Sequence, residues 1–249
     1  AEHFALELMK LNAQRKEIEL EMKEDVLDNL SFDKDKSYSL CLYNKNWHQG
    51  VIGILASRMK EKYHRPTIIF ALDSSGIFKG SARSIPGFHM RDALDLISKQ
   101  HTHLIKTFGG HAMAAGLTIE ETSFDEFVTV FELHCAKTLT KDDLNLVVDV
   151  DESILAKSVT FEDVRQIGLS VWGQGFSPPY FKDGFEVISQ KTLMNKHVKC
   201  QLLLKSKIYE AIIFNYVETL PDRIVAVYSM ETNDFRGNKS IQLILRELV

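Results

Sequence analysis

The chain has 249 residues, 45% of them hydrophobic, which allows one large domain or two small ones. Its net charge is −4, and no apolar run approaches the roughly 18 residues that cross a bilayer, so a membrane protein is not expected. Three widely spaced cysteines without a Cys-x-x-Cys pair predict reduced thiols, a cytoplasmic location and no structural zinc site.

The charge is distributed unevenly along the chain. Residues 37–118 carry ten basic and four acidic side chains, and residues 164–249 carry eleven basic and eight acidic ones. Residues 119–163, between them, carry twelve acidic and three basic side chains. A polyanion would therefore be drawn to the two basic segments and not to the whole surface.

A long helix is predicted at the amino terminus, in a connector segment placed at residues 1–36. Its apolar residues recur at spacings of three, four or their multiples, and they are Phe4, Leu8, Leu11, Ile18, Met22 and Val26. Such a stripe needs a partner surface. Either the helix packs on another domain as a strut, or it pairs with a second chain in a coiled coil, for which the stripe is irregular.

Strands and helices alternate over residues 37–140, which predicts an α/β domain. The predicted strands are 39–43, 67–72 and 77–82, and the predicted helices are 50–63, 90–98 and one that ends near residue 139. Ser123 and Glu126 have the spacing of a capping box ahead of that last helix. An acidic linker with a helix near 160–169 is predicted for residues 141–183.

Five β-rich runs occupy residues 184–249, which favours a small closed barrel of the OB type. The runs are 185–193, 197–204, 208–214, 223–230 and 240–247. Basic and aromatic residues among them suit single-stranded nucleic acid, although most aromatic residues in strands belong to cores. The candidate contacts on the barrel are Lys196, Lys199, Phe235, Arg236 and Lys239.

The sequence FGGHAMAAG at residues 108–116 is the strongest local pattern. Gly109 and Gly110 would let a ligand approach the backbone closely, and the small residues after them predict a helix whose free N–H groups bind phosphate. His111 would donate to a phosphate oxygen or supply a proton at the scissile bond, and it is the one candidate for a catalytic residue. The alternative is a glycine turn beside a packed histidine.

Two further patterns suggest ligand contacts. Ser81 and Arg83 share one face of a predicted strand, where a hydroxyl beside a guanidinium would cradle phosphate. Trp47 and His48 lie between a strand and a helix, where α/β sheets commonly bind ligands. The alternatives are a strand-end arginine that extends into water and a tryptophan that belongs to the core. The densest carboxylate group, residues 149–152, is interpreted as a solvated linker, so no metal site is predicted.

Several segments, taken in order, resemble RecJ nucleases. Residues 47–58, 80–88 and 108–116 resemble the DHH-associated domain of that family. Residues 172–181 (WGQGFSPPYF) and 233–243 (NDFRGNKSIQL) are similar to the opening segment and last hairpin of its OB-like domain. The resemblance implies an α/β DHH-associated domain with a mixed sheet, preceded by a long connector helix and followed by a small OB-like β-barrel.

The resemblance also implies an exonuclease that degrades single-stranded DNA from its 5′ end. Its catalytic Mn²⁺ or Mg²⁺ ions would be held by an amino-terminal DHH domain, and these 249 residues contain no Asp-His-His sequence. This chain alone is therefore expected to be inactive, and to have as partners the DHH domain, single-stranded DNA and single-strand-binding protein. By motif match, Ser81 and Arg83 would bind phosphate near the 5′ end. Gly109, Gly110 and His111 would hold phosphate near the scissile bond, with His48 in the same cleft.

Two alternatives remain open from the sequence. One is a stand-alone module that binds single-stranded nucleic acid, against which the unpartnered stripe of the first helix argues. The other is a phosphodiesterase of the DHH superfamily that cleaves short oligonucleotides. The barrel-like segment argues against this second alternative, because a small substrate needs no strand-binding domain.

Overall fold

The computed structural model describes residues 2–30, 32–73, 75–153, 158–173, 176–235 and 237–249. The chain divides into two compact units, residues 1–146 and 147–249. The boundary between the units falls inside the predicted acidic linker. The described residues include no helix that is both long enough and apolar enough to cross a membrane.

The first unit is an α/β domain built on one mixed sheet, as the alternation of patterns predicts. Its helices α1 to α4 are Glu2–Asn29, Ile52–Tyr63, Met90–Gln100 and Phe124–Thr138. Its strands β1 to β5 are Leu40–Tyr43, Thr67–Leu72, Ile77–Arg83, Thr107–Gly110 and Ala114–Glu120. The strand order is β1-β2-β3-β5-β4, with β1 and β2 parallel and the other neighbours antiparallel.

The two faces of this sheet are covered differently. Residues of α3 and α4 pack with Phe70, Phe78 and Ala82 in the main core, whereas α2 and the end of α1 cover Ile69 and Ala71 on the other face. Because side chains alternate along a strand, Lys79, Ser81 and Arg83 of β3 lie on the second face, where α2 packs against β3 as well as β2.

Helix α1 is confirmed, but only its carboxy-terminal half is packed. Met22 and Val26 are buried, whereas Phe4 and Leu8 are 67% and 66% exposed. Trp47 is a core residue whose indole Nε1 donates to Asp25 Oδ2 at 2.8 Å, which ties α1 to the loop after β1. The carboxy-terminal half of the apolar stripe therefore packs on the unit, whereas its first half is exposed.

Two predictions of local structure are wrong. The segment after Gly110 is not a helix but the second strand of the β4–β5 hairpin, because Ala115, Leu117 and Ile119 alternate into the core with a period of two. Ser123 makes no capping hydrogen bond, because a short 3₁₀ turn over Glu121–Ser123 leads directly into α4.

Arg65 fixes the connections at one end of the sheet. Within the part of the chain that the structure describes, this buried side chain donates hydrogen bonds only to backbone carbonyl oxygens, which belong to Lys34, Ser37, Tyr63, His64 and Leu144. A buried guanidinium normally requires such full hydrogen bonding. One arginine thus holds together the segment after α1, the end of α2 and the end of the unit.

The second unit is a closed five-stranded barrel preceded by helix α5, Phe161–Leu169. Its strands β6 to β10 are Phe181–Leu193, His197–Leu204, Lys207–Phe214, Arg223–Phe235 and Asn238–Leu248. The order around the barrel is β10-β8-β7-β6-β9, closed by parallel pairing of β8 with β10. The predicted OB-like barrel is therefore confirmed, and its first strand begins three residues before the predicted start at 184.

Candidate nucleic-acid interface

Arg83, at the end of β3, is held in place by neutral groups. Its Nε donates to Ser57 Oγ of α2 at 3.1 Å, and its Nη1 donates to Ser81 Oγ at 3.2 Å and to the Ala82 carbonyl at 2.8 Å. No acidic side chain among the described residues pairs with it, and none of them accepts a hydrogen bond from Nη2. The positive charge of this half-buried guanidinium is therefore not paired with an acidic group, and its Nη2 remains available as a donor. Both features are suited to binding a phosphate.

Gly53 makes room for this arrangement. A Cβ atom at this first-turn position of α2 would lie 3.0 Å from Ser81 Oγ and 3.1 Å from Arg83 Nη2. A larger residue would press on both side chains and shift them from these positions. Neither Gly53 nor Ser57 was assigned a function from the sequence, because their proximity to Arg83 depends on the packing of α2 against β3.

Strands β5 and β4 continue the same face of the sheet. In the strand register Ser81 lies opposite Gly116, and Gly116 lies opposite Gly109. Both glycines are exposed, although β5 is an interior strand. The structure therefore brings Gly109, which is distant in the sequence, onto the same face of the sheet as Ser81 and Arg83, and this face is open at the two glycines.

The turn of the β4–β5 hairpin carries His111. Gly110 has a φ of 143°, and a Cβ atom there would lie 2.4 Å from the Ala114 carbonyl oxygen, so the turn requires glycine. The His111 N–H donates to that same carbonyl at 2.8 Å, while its side chain is exposed. His111 is thus on a rigid turn next to the open face, and it is not the packed histidine of the alternative interpretation.

The position of the turn is fixed by backbone hydrogen bonds from two other segments. The Met90 N–H donates to the Ala112 carbonyl at 2.8 Å, and the Ser84 N–H donates to the Met113 carbonyl at 3.0 Å. The start of α3 and the end of β3 therefore hold the hairpin turn from both sides.

His48 lies in the turn before α2, at the end of the helix that contains Gly53. The side chain is exposed, and its Nδ1 accepts a hydrogen bond from the Gly50 N–H at 3.1 Å. Among the described residues, His48 makes no contact with Arg83 or with the hairpin. It is connected to the open face only through α2, which begins just after it.

On the barrel, the two predicted lysines differ. Lys196 is exposed in the turn between β6 and β7. Lys199 forms an ion pair with Glu210 of β8, and the hydrogen bond from Lys199 holds the pKa of that carboxyl below its usual range. Lys196 is therefore available to bind a phosphate, whereas Lys199 would have to leave Glu210 before it could bind one.

The last hairpin of the barrel carries the other three candidates. Lys239 is exposed and lies 5.9 Å from the centre of the Phe161 ring. Phe235 ends β9, and Arg236 lies outside the described residues. Hydrogen bonds from Arg165 and Gln166 lower the pKa of Glu162 and the charge of Lys239 adds to this effect, so an acidic side chain lies near this candidate surface.

The described residues contain no group of three or more His, Cys, Asp or Glu side chains placed to hold a metal ion. The residues at the open face are serine, arginine, lysine and glycine, which do not form a donor set for Mn²⁺ or Mg²⁺. No chemical step through a metal is therefore assigned to this chain.

Two domain families match the chain, one for each unit. Residues 36–137 match the DHHA1 domain, and residues 150–247 match the RecJ OB domain. The first match contains Arg83, Gly109 and His111, and the second contains all five barrel candidates.

Curated relatives match over nearly the whole chain. A protein of Haemophilus influenzae named single-stranded-DNA-specific exonuclease RecJ is 42% identical over 98% of this chain and 45% of its own length. A protein of the same name from Dickeya dadantii is 40% identical over 100% of this chain and 45% of its own length. The chain thus spans about half the length of the curated relatives it matches.

The fold also matches solved structures. A crystal structure of RecJ with Mn²⁺ from Thermus thermophilus superposes with a TM-score of 0.71 at 23% identity, over 98% of this chain and 35% of the other. At this identity the likeness concerns the fold alone.

Proposed function

This chain belongs to the RecJ family, and from that premise we propose that it is the substrate-holding part of an exonuclease that degrades single-stranded DNA from 5′ to 3′. We propose further that it hydrolyses no DNA by itself. The relatives are about twice as long, and the aspartate- and histidine-rich metal site of the family would lie in the part they have in addition.

The observation that carries this proposal is the Arg83 cluster on an open sheet face. Arg83 has a fixed orientation, no acidic partner among the described residues, and an Nη2 group that points to no described acceptor. Such a guanidinium is arranged for an anion that comes from outside the domain. The neighbouring glycines leave space for that anion's chain.

We assign roles to individual residues on this basis. Ser81 and Arg83 bind the phosphate near the 5′ end of the strand. Gly109, Gly110 and His111 hold a backbone phosphate near the scissile bond, which lies at the metals of the DHH domain. His48 contacts the same DNA strand from the turn before α2. Its position is held by fewer contacts than those of the other residues.

The barrel is proposed to bind a further stretch of the strand. Lys196 is its best-placed contact because it is exposed and unpaired among the described residues, and Lys199 contributes after it leaves Glu210. Phe235, Arg236 and Lys239 would act from the last hairpin, where an aromatic ring and cations suit a single strand.

The parent protein is proposed to use Mn²⁺ or Mg²⁺ and to act in DNA repair and recombination in the cytoplasm. The three cysteines, all free, agree with a reducing compartment. Its partners would be single-stranded DNA, the DHH domain and single-strand-binding protein.

The test is fluorescence anisotropy of this chain with a labelled single strand and with a matching blunt duplex. Both are measured at low and moderate salt, with and without Mn²⁺, while product length is followed on a gel. A salt-sensitive preference for the single strand without cleavage is expected. Cleavage that depends on Mn²⁺ would overturn the assignment of inactivity, and an absence of binding would favour a phosphodiesterase for short substrates.

A further inference from the structure

Two paired glycines form a strip without side chains on the open face of the sheet, next to Ser81 and Arg83. Ser81 of β3, Gly116 of β5 and Gly109 of β4 are opposite one another in the strand register. The two glycines leave the backbone of two adjacent strands uncovered and exposed. Gly116 therefore lies between the phosphate-binding candidates on either side.

The fold itself does not require these two glycines. A Cβ atom at Gly109 would meet no atom within 4 Å, and one at Gly116 would meet only the Gly80 carbonyl oxygen at 3.8 Å, an ordinary contact. Neither residue has a left-handed φ. Glycine inside a strand weakens it, and it often marks a place where a ligand or another chain comes close.

Two other glycines of this sheet show the contrast. A Cβ atom at Gly80 would lie 2.6 Å from Leu117 Cδ2, and one at Gly110 would lie 2.4 Å from the Ala114 carbonyl oxygen. Those positions need glycine for packing or for the turn. At Gly109 and Gly116 a side chain would extend into solvent and would not clash with the domain. We therefore attribute glycine at these positions to a molecule that binds there.

The charge beside the strip identifies the occupant. Lys79 and Arg83 lie on the same face of β3 as Ser81. Neither forms an ion pair among the described residues, and Asp73 is the acidic group that feels the charge of Lys79. The phosphate backbone of a nucleic acid strand fits this arrangement, because cationic side chains lie next to strand backbone that no side chain covers. A bulky side chain at the glycines would keep such a strand away from Arg83.

We propose that Gly116 is a substrate-contacting position, which with Gly109 lets the backbone of single-stranded DNA lie directly on strands β5 and β4. This inference rests on the proposed function and adds to it a residue and the mode of contact. It predicts an unusual combination, in which a side chain at position 116 leaves the fold intact or stabilises it while weakening DNA binding.

The experiment compares Gly116→Ala and Gly116→Val with Gly109→Ala, Arg83→Ala and Gly184→Ala in the full chain. Gly184 is the matched control, because it is a strand glycine of the barrel with nothing within 4 Å of its Cβ position. Melting temperature and the Kd for a 5′-phosphorylated single strand are measured for each variant.

We expect Gly116→Val to bind about tenfold more weakly, equivalent to about 1.4 kcal/mol, with an unchanged or raised melting temperature. Gly116→Ala and Gly109→Ala should show the same change to a smaller extent, and Gly184→Ala should bind normally. Normal binding by both Gly116 variants, while Arg83→Ala binds weakly, would overturn this inference and leave the proposed function standing. Normal binding by Arg83→Ala would reject the proposed function itself. A lower melting temperature for Gly116→Ala would mean that the glycine serves the fold.

Discussion

The guanidinium of Arg83 is oriented by Ser57, whose Oγ accepts a hydrogen bond from Arg83 Nε at 3.1 Å. The same Oγ donates to the Gly53 carbonyl at 3.3 Å within α2. Nε is thus engaged by the helix and Nη1 by β3, while Nη2 lies beside Gly53 of the helix without an acceptor among the described residues. The helix thus determines which edge of the arginine a ligand would meet.

Replacing Arg83 should affect 5′-phosphorylated strands most. Charge-assisted hydrogen bonds contribute about 1.5–3 kcal/mol, so Arg83→Ala should weaken binding of a 5′-phosphorylated strand by about ten- to a hundredfold. Binding of a 5′-hydroxyl strand should fall less, and Arg83→Lys should restore charge but not the planar fork. Equal weakening of both strands in a fluorescence titration would count against a 5′-phosphate site.

Replacing Ser57 should act through the arginine. Ser57→Ala removes one neutral hydrogen bond, worth about 0.5–1.5 kcal/mol, and should reduce the preference for 5′-phosphate over 5′-hydroxyl strands by about two- to tenfold. Ser57→Thr keeps the hydroxyl and should restore the preference. A double-mutant cycle with Arg83→Ala distinguishes a positioning role from a merely structural one. If Ser57→Ala reduces affinity further in the Arg83→Ala background, the hydroxyl does not act through Arg83.

The sequence predicts the parts of this site more fully than their arrangement. Ser81 and Arg83 share a face because they are two residues apart on a strand, a local rule that the structure follows. The prediction of a helix after Gly110 is wrong, because the alternation of Ala115, Leu117 and Ile119 with a period of two favours a strand more strongly than small residues favour a helix. The contacts of Ser57 and Gly116 depend on which elements are neighbours in space, and no local pattern contains that information.

The barrel lysines should contribute unequally to the salt dependence of binding. Each phosphate contact with a single strand adds about 0.7 to the slope of log K against log salt, so Lys196→Ala should lower that slope by about this amount. Lys199→Ala should have a smaller effect, because Lys199 is already paired with Glu210. Glu210→Gln releases the lysine and should raise both affinity and slope. Anisotropy titrations at several salt concentrations test this order, and identical slopes for all three variants would remove this barrel face from the binding path.

The same pair predicts a pH dependence of stability. Lys199 lowers the pKa of Glu210 in the folded chain below its usual 4.5. A depressed carboxyl pKa contributes stability above the unfolded value, and this contribution is lost as the pH falls through the folded value. Glu210→Gln should therefore lower the melting temperature slightly near pH 7 and have no such effect at a pH well below the folded pKa of Glu210. Because both side chains are about one-third exposed, the change should be small.

A buried hydrogen bond between Tyr228 and Asp183 should stabilise the barrel. Tyr228 is fully buried, and its Oη donates to Asp183 Oδ2 at 2.8 Å, while Ser153 Oγ donates to the other carboxylate oxygen. Asp183 belongs to the segment expected to be an acidic linker, yet it lies inside β6 with only 6% of its surface exposed. The barrel starts earlier than the pattern of apolar residues indicates, because the polar residue Asp183 is buried in its first strand together with its hydrogen-bond donors.

Tyr228→Phe should therefore lower the free energy of unfolding by about 1–3 kcal/mol, the cost of leaving a buried acceptor with one donor fewer. Urea unfolding measures the change, and Tyr43→Phe is the control, because Tyr43 is 41% exposed and makes ring contacts with Phe78 and Phe124 that phenylalanine keeps. Asp183→Asn should also destabilise the barrel, because the amide has one acceptor oxygen where the carboxylate accepts from both Tyr228 and Ser153. If Tyr228→Phe unfolds at the same urea concentration as the unaltered chain, the carboxylate is satisfied without the tyrosine, and burial of the ring alone explains the position.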